Sequence, residues 1–210
     1  MKIFDSHNHI WECKGEHFSW ITEEMSIIKR DFSIDDLLML SEENNVQYNL
    51  LVQAVPEVWE TEKLLAVAEQ NERIAGVIGW VDVAKGRAVI ADIKKLIEQS
   101  DKLCGIRYMS QGIVPEHLIQ EKFVEGVRSV GQLGLIYELL VNESQLEYVE
   151  KLISLCPDVL FVLNHIAKPD IKQGRIKAWS KAIENIARFQ NVHCKLSGMV
   201  TEADLKNMET

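Results

Sequence analysis

Cysteine is scarce in this chain, with four residues among 210, namely Cys13, Cys104, Cys156 and Cys194. These cysteines form no C-x-x-C pair and show no spacing typical of a small disulfide-bonded domain. Cys104 and Cys194 stand within apolar strand patterns and Cys156 ends a helix pattern, so we expect reduced thiols that behave as small hydrophobic side chains. A chain without a disulfide framework is typical of the cytoplasm, which we expect as its location.

Long apolar runs and excess positive charge are also missing. No run reaches the roughly 18 apolar residues that a membrane span needs, and no signal peptide is expected because strand-like residues directly follow Lys2. The formal net charge is −9, which makes nucleic acid or an anionic membrane surface an unfavourable partner. A hydrophobic content of 47% nevertheless predicts a buried core.

Apolar segments with strand-like and helix-like spacing alternate along the whole chain. Strands are predicted at 2–10, 47–54, 75–83, 103–109, 134–142, 158–166 and 191–199, and helices at 33–45, 59–71, 86–100, 115–132, 143–156 and 177–190. This rhythm predicts a parallel sheet with helical crossovers. Because no glycine-rich phosphate loop follows the first strand, we favour a closed α/β TIM barrel over a doubly wound open sheet.

Histidines mark the ends of two predicted strands. In the first strand Asp5, His7 and His9 alternate, so their side chains should share one face. His165 ends the sixth strand. Two imidazoles at this spacing can bind one divalent cation, and a third at the mouth of a barrel would suit hydrolytic chemistry. The alternative is a set of polar strand ends that hydrogen-bond to their neighbours.

Other polar side chains also alternate with apolar ones near predicted strand ends. They are Gln53, Trp80, Arg107, Glu138 and Lys195. Inward parity favours roles at the site, but buried ion pairs would give the same pattern, with Arg107 or Lys195 paired to an acid such as Glu138. A tryptophan such as Trp80 is more often a core residue, although stacking of its ring on a sugar face is the alternative at a strand end. The run from Glu60 to Lys63 is expected to be a solvated helix face.

The predicted strands number seven, whereas an eightfold barrel has eight in typically about 250 residues. Residues 201–210 have the pattern of a helix that begins and is then cut. We therefore expect residues 1–210 to be a single barrel domain that lacks its C-terminal strand and helix.

Several segments together resemble the amidohydrolase superfamily, specifically amidohydrolase family 2. The first is Phe4-Asp5-Ser6-His7-Asn8-His9-Ile10-Trp11, and the others are Leu51-Val52-Gln53-Ala54, Ala75-Gly76-Val77-Ile78-Gly79-Trp80-Val81-Asp82, Gly105-Ile106-Arg107-Tyr108, Leu163-Asn164-His165-Ile166-Ala167-Lys168-Pro169 and 194–204. In this order they look like the sugar-lactonase subgroup that includes L-fuconolactonase. The resemblance spans essentially the whole chain.

The resemblance implies a cytoplasmic hydrolase of carbohydrate metabolism that opens a small aldonolactone, such as fuconolactone or rhamnonolactone, with water. His7, His9 and His165 match the family's active-site histidines and its metal ligands. The metal would be divalent, with zinc favoured and a metal-free site as the alternative. Arg107, Gln53, Trp80 and Lys195 match positions that line the substrate pocket.

The resemblance also leaves alternatives and departures. A metal-dependent amide hydrolase or decarboxylase of the same superfamily is one alternative, and an inactive fragment is another. Asn164 stands where the family usually has an aspartate. The family's strand-eight aspartate, the natural general base, has no counterpart, so we expect a longer parent chain to supply it. The lactone would be the principal partner, and a homo-oligomer is compatible with the sequence.

Overall fold

The chain is described here by a computed structural model that covers residues 2–14, 16–18 and 21–204. Contacts divide it into two compact units, Met1–Val81 with Lys94–Cys104 and Asp82–Ile93 with Gly105–Thr210. The prediction of a single domain stays a prediction, and part of the helix predicted from residue 201 lies outside the described residues.

Seven strands are present in the described part of the chain: β1 (Ile3–Asn8), β2 (Val46–Val52), β3 (Ile74–Gly79), β4 (Leu103–Met109), β5 (Ile136–Leu140), β6 (Phe161–Leu163) and β7 (Val192–Cys194). Pairing is parallel from β1 to β2 and from β2 to β3 in the first unit. In the second unit β4, β5, β6 and β7 pair in parallel in that order. Within each unit, each strand therefore pairs with its neighbour in sequence, as helical crossovers require.

Six of the described α-helices lie between the strands, as the periodicity predicts, and a seventh follows β7. They are α1 (Ile34–Glu43), α2 (Val58–Glu69), α3 (Val89–Gln99), α4 (Glu121–Gln132), α5 (Leu146–Leu155), α6 (Lys177–Ile186) and α7 (Met199–Glu202), with 3-10 segments at Glu16–Phe18, Glu23–Met25, Val83–Ala88, Pro115–Ile119, Glu143–Gln145 and Asn164–Ala167. Ser33 caps α1 through a reciprocal pair of bonds with Asp36. In the described residues, no helix has the length and apolar character that a membrane crossing requires.

Each unit has its own apolar core. In the first unit α2 packs on β3, and Leu51, Leu64 and Ile78 are almost completely buried. In the second unit the ring of Tyr137 contacts those of Phe123 and Phe161 edge to face, at centroid distances of 6.5 and 6.0 Å. These layers fix the strands so that the residues following them have defined positions.

Candidate active site

The first unit brings two of the three predicted histidines into contact. His7 lies in β1 and His9 follows its end. Their Nε2 atoms are 3.1 Å apart, and the two rings meet edge to face with centroids 4.9 Å apart. Both side chains are partly buried. The alternation read from the sequence therefore corresponds to a real pair of imidazoles that share one small region of space.

The protonation of His9 follows from its second nitrogen. Nδ1 of His9 lies 2.7 Å from the carbonyl oxygen of Val52 in β2. A carbonyl oxygen can only accept, so Nδ1 carries the proton and donates it. In the neutral ring Nε2 then has a lone pair, and this lone pair is directed towards His7. Asp5 contacts the backbone of His7 rather than its ring, because its Oδ1 accepts from the His7 amide at 3.2 Å.

Gln53 and Trp80 follow the ends of β2 and β3, where the sequence predicts substrate contacts. Gln53 is fully buried, and its backbone amide donates to the carbonyl oxygen of Ile78 at 2.9 Å. Trp80 is partly buried, and its amide donates to Oγ1 of Thr61 at 2.8 Å. Gly79 permits this approach of α2, because a Cβ there would lie 2.2 Å from Thr61 Cγ2.

Glu60 corrects one expectation from the sequence. It is only 3% exposed rather than part of a solvated face. Its Oε2 accepts from the backbone amides of Ala54 and Val55, each at 2.9 Å. The carboxylate therefore holds the chain that follows Gln53, in the first turn of α2. A glutamate at the third position of a helix is common on surfaces too, so the sequence carries no signal that separates the two roles.

The second unit contains a buried ion pair. Glu138 in β5 is 1% exposed. Its Oε1 accepts from Nζ of Lys195 at 2.5 Å, and its Oε2 accepts from Nδ2 of Asn164 at 3.0 Å. Arg107 is also buried, and it is the register partner of Glu138 on β4. Buried charges persist when they are paired and hydrogen-bonded, so this network fixes Lys195 in place.

His165 lies in the same unit and is held through its Nδ1 atom, which is 2.8 Å from Oγ of Ser197. Burial, and to a smaller extent the cations Arg107, Lys168 and Lys195, together lower the pKa of its imidazole to about 4. The ring is therefore uncharged at neutral pH. Gly198 contacts it closely, since a Cβ at Gly198 would lie 2.7 Å from that of His165.

The predicted site residues are thus found in two sets, each described within its own unit. The first set contains His7, His9, Gln53 and Trp80, and the second contains Arg107, His165 and Lys195. Over residues 2–14, 16–18 and 21–204, no three or more histidine, cysteine, aspartate or glutamate side chains are grouped so as to hold a metal ion.

Comparison with known proteins adds the family. A family model described as amidohydrolase matches residues 4–209. L-fucono-1,5-lactonase of Burkholderia ambifaria is 34% identical over 200 residues, which are 95% of this chain and 68% of that protein. L-fucono-1,5-lactonase of Burkholderia multivorans is 31% identical over 208 residues, which are 95% of this chain and 69% of that protein.

Solved structures agree on the fold. A crystal structure of an amidohydrolase from Burkholderia multivorans with bound zinc is 31% identical and superposes with a TM-score of 0.90, covering 97% of this chain and 72% of that one. A probable 2-pyrone-4,6-dicarboxylic acid hydrolase from Acinetobacter baumannii, at 17% identity, has a TM-score of 0.75 and covers 98% of this chain and 73% of that one. The predicted fold class, an α/β TIM barrel of the amidohydrolase type, is confirmed.

Proposed function

This chain belongs to the amidohydrolase family, and we propose that it opens the ring of a small sugar-acid lactone with water. The observation that carries the proposal is the His7–His9 pair, whose Nε2 atoms lie 3.1 Å apart. Two relatives that are L-fucono-1,5-lactonases support the reaction class. L-fucono-1,5-lactone is therefore the first substrate to examine, and L-rhamnono-1,5-lactone is the second.

We propose His7, His9 and His165 as the catalytic histidines and as the ligands of a divalent metal, zinc in the first instance. The donor atoms of the His7–His9 pair fit this role. Adjacent imidazole nitrogens around tetrahedral zinc are roughly 3.3 Å apart, close to the observed 3.1 Å. The bond from His9 Nδ1 to the Val52 carbonyl is the kind of contact that orients zinc-binding histidines. When bound, zinc would polarise the lactone carbonyl and lower the pKa of water towards about 7.

Arg107 and Lys195 supply positive charge for the oxygen atoms of the substrate. When water attacks the carbonyl, negative charge develops on the carbonyl oxygen, and fixed cations stabilise it. The ion pair with Glu138 holds Lys195, whose side chain is 10% exposed, so little reorganisation is needed during the reaction. Gln53 and Trp80 complete the proposed pocket, with an amide for a hydroxyl group and a ring for a sugar face.

His165 is not a base in this proposal. A pKa of about 4 means that its ring binds a proton poorly at neutral pH. Its neutral form can instead donate to an oxygen through one nitrogen or bind a metal through a lone pair. We assign it to carbonyl polarisation, through the metal it would help to hold or, in a metal-free site, as a hydrogen-bond donor.

The test is hydrolysis of L-fucono-1,5-lactone and L-rhamnono-1,5-lactone by the purified protein, followed through acid release and corrected for spontaneous opening. A second preparation fuses the chain to the part of the Burkholderia ambifaria lactonase that it does not cover. We expect His7→Ala and His165→Ala to lower kcat/KM by about 100-fold or more, the scale of losing one strong electrostatic group. His193→Ala, at an exposed position in β7, is the matched control and should leave kcat/KM unchanged.

Four outcomes would contradict the proposal or part of it. Opening no faster than in buffer, in both preparations, would overturn the reaction class. Losses below about threefold at both histidines would overturn their roles. Activity that survives complete chelation of zinc would overturn the proposed metal requirement while leaving the histidines as hydrogen-bond donors. Turnover of an amide in place of the lactones would favour another member of the superfamily.

The remaining expectations stay proposals. We propose one barrel domain over residues 1–210 and a cytoplasmic location. We also propose that the principal partner is the small lactone, without nucleic acid or membrane. The formal charge of −9 supports the last point because it repels polyanions.

A further inference from the structure

The turn that carries His165 has left-handed backbone geometry over four consecutive residues. The φ angles are 53° at His165, 48° at Ile166, 58° at Ala167 and 49° at Lys168. The Lys168 amide closes the turn by donating to the His165 carbonyl at 2.9 Å. L-residues enter this region singly and rarely, and β-branched isoleucine is among the least suited to it. Such a turn persists only when surrounding contacts impose it.

Trp179 in α6 holds the backbone of the turn in its left-handed conformation. Its indole Nε1 donates to the carbonyl oxygen of Ile166 at 2.6 Å. The backbone amide of Ile166 itself donates to the Lys195 carbonyl at 3.3 Å. The peptide groups on both sides of Ile166 are therefore held from outside the turn, one by a side chain and one by the strand end of β7. A right-handed or extended alternative would break both bonds.

Ser197 imposes the orientation of the ring. Its Oγ atom lies 2.8 Å from Nδ1 of His165, so rotation of the imidazole about its Cβ–Cγ bond would cost that hydrogen bond. Gly198 follows directly and leaves room for the ring, because any larger residue would place its Cβ against His165. The backbone and the ring of His165 are thus fixed by two separate side chains.

We infer that Trp179 and Ser197 are positioning residues, which hold a strained left-handed turn so that His165 presents its ring in one orientation to the lactone carbonyl. This inference rests on the proposed function for its catalytic consequence. Neither residue is required to touch the substrate. Their removal should therefore lower the rate of the chemical step and leave substrate affinity nearly unchanged, since the ammonium group of Lys195, two residues before Ser197, is held by its own ion pair with Glu138.

The kinetic test uses the two-preparation lactone assay with Trp179→Phe and Ser197→Ala. We expect kcat to fall by roughly 10- to 50-fold while KM changes by less than about threefold. Ser197→Thr keeps a hydroxyl group and should restore most of the rate. Trp59→Phe is the matched aromatic control, because Trp59 is 39% exposed and lies in the first unit. Equal losses in kcat and in folded fraction, or a rise confined to KM, would overturn the inference.

A second measurement needs no substrate. Amide hydrogen exchange by NMR reports on the turn through the Lys168 amide and on the adjacent strand pairing through the Lys195 amide, which donates to the Leu163 carbonyl at 2.9 Å. In Trp179→Phe we expect Lys168 to exchange about tenfold faster or more while Lys195 keeps its protection. Unchanged protection of the Lys168 amide would refute the proposal that Trp179 holds the turn, whether or not the protein hydrolyses lactones. Loss of protection at both amides would refute it as well, because the effect would then be general unfolding.

Discussion

The side chain of His165 is partly buried and lies in the field of three cations, Arg107, Lys168 and Lys195. Both burial and the cations penalise its protonated form, so its pKa falls to about 4 from an ordinary value of about 6.5. In the pH range between these values the unfolded chain binds a proton at this residue and the folded chain does not. The free energy of unfolding therefore has a pH-dependent contribution from one imidazole.

This contribution is fully present above about pH 6.5 and should be lost as the pH falls towards about 4. We expect urea denaturation, performed with a chelator to remove metal, to show a stability that decreases through this range. His165→Asn should lose this part of the pH dependence, although its stability at neutral pH also changes with the loss of the Ser197 contact. Parallel pH profiles for the two proteins would show that the histidine titrates normally in the folded state.

Asn164 shows how one residue explains a departure from the family pattern. Where the resemblance leads one to expect an aspartate, Asn164 donates to Oε2 of Glu138 at 3.0 Å. An aspartate would place a second carboxylate against that oxygen, and the two would repel. The departure is therefore matched to the Glu138–Lys195 pair, a contact that only the folded structure reveals.

At the scale of single residues the sequence predicts positions better than partners. Alternation in β1 was sufficient to predict the His7–His9 pair, and inward parity predicted the burial of Arg107. The sequence left open whether Glu138 pairs with Arg107 or with Lys195, and the structure shows the contact with Lys195. The role of Glu60 was missed, because a carboxylate that binds two loop amides has the same local sequence as one in water. Tertiary contacts decide such cases, and they leave no periodic signal.

Among the elements, α4 makes an unusually close approach to the 3-10 segment Val83–Ala88. Gly126 lies in the middle of this helix, and a Cβ there would be 1.9 Å from the carbonyl oxygen of Val83. Both partners at this contact are backbone, so neither can rotate away. The absence of a side chain at Gly126 therefore sets the distance between the helix and the segment that follows β3.

We expect Gly126→Ala to lower the free energy of unfolding by on the order of 3 kcal/mol, because the added methyl group must displace one backbone from the other. The intrinsic helix preference of alanine opposes this effect by only about 1 kcal/mol. Thermal and urea unfolding would measure the difference. Lys122→Ala, on the exposed face of the same helix, is the control and should change stability little. A stabilised Gly126→Ala protein would mean that the helix can shift freely.

The boundaries of elements were predicted well where periodicity is strong and poorly at the ends of the last strands. The strand at 103–109 was predicted with its observed bounds. The strand predicted at 158–166 ends at Leu163, because the left-handed turn follows it, and the strand predicted at 191–199 ends at Cys194. Gly198, with a φ of 70°, leads directly into α7. Apolar residues continue through these turns, so the sequence pattern does not show where the strands end.

For the molecule as a whole, the order of strands followed from the repeated alternation of apolar patterns, and the family followed from the resemblance of several sequence motifs. The exposure of apolar side chains could not be predicted from the sequence. β7 is the last strand in the sheet order, and the chain beyond it exposes Leu196 by 80%, Val200 by 61% and Met199 by 44%. Contiguous apolar side chains next to a terminal strand are a common cause of association between molecules.

We therefore expect the 210-residue chain to self-associate at concentrations of about 100 µM, since burial of these side chains between molecules is favourable. Light scattering coupled to size-exclusion chromatography should show a lower mean mass for Leu196→Ser/Val200→Ser. Ile27→Ser, which removes a side chain that is 86% exposed elsewhere, is the control and should have no such effect. A monodisperse monomer would refute the expectation.

The left-handed turn also bears on the order in which the protein is made and folds. A growing chain emerges from the ribosome with residues 165–168 well ahead of Trp179 and Ser197, the two side chains that hold them. Until those later residues arrive and α6 and β7 dock, nothing opposes the ordinary right-handed preference of this segment. The proposed catalytic histidine therefore reaches its final place only after the chain through Ser197 has been made, and release of the nascent chain before that point would leave this turn unformed.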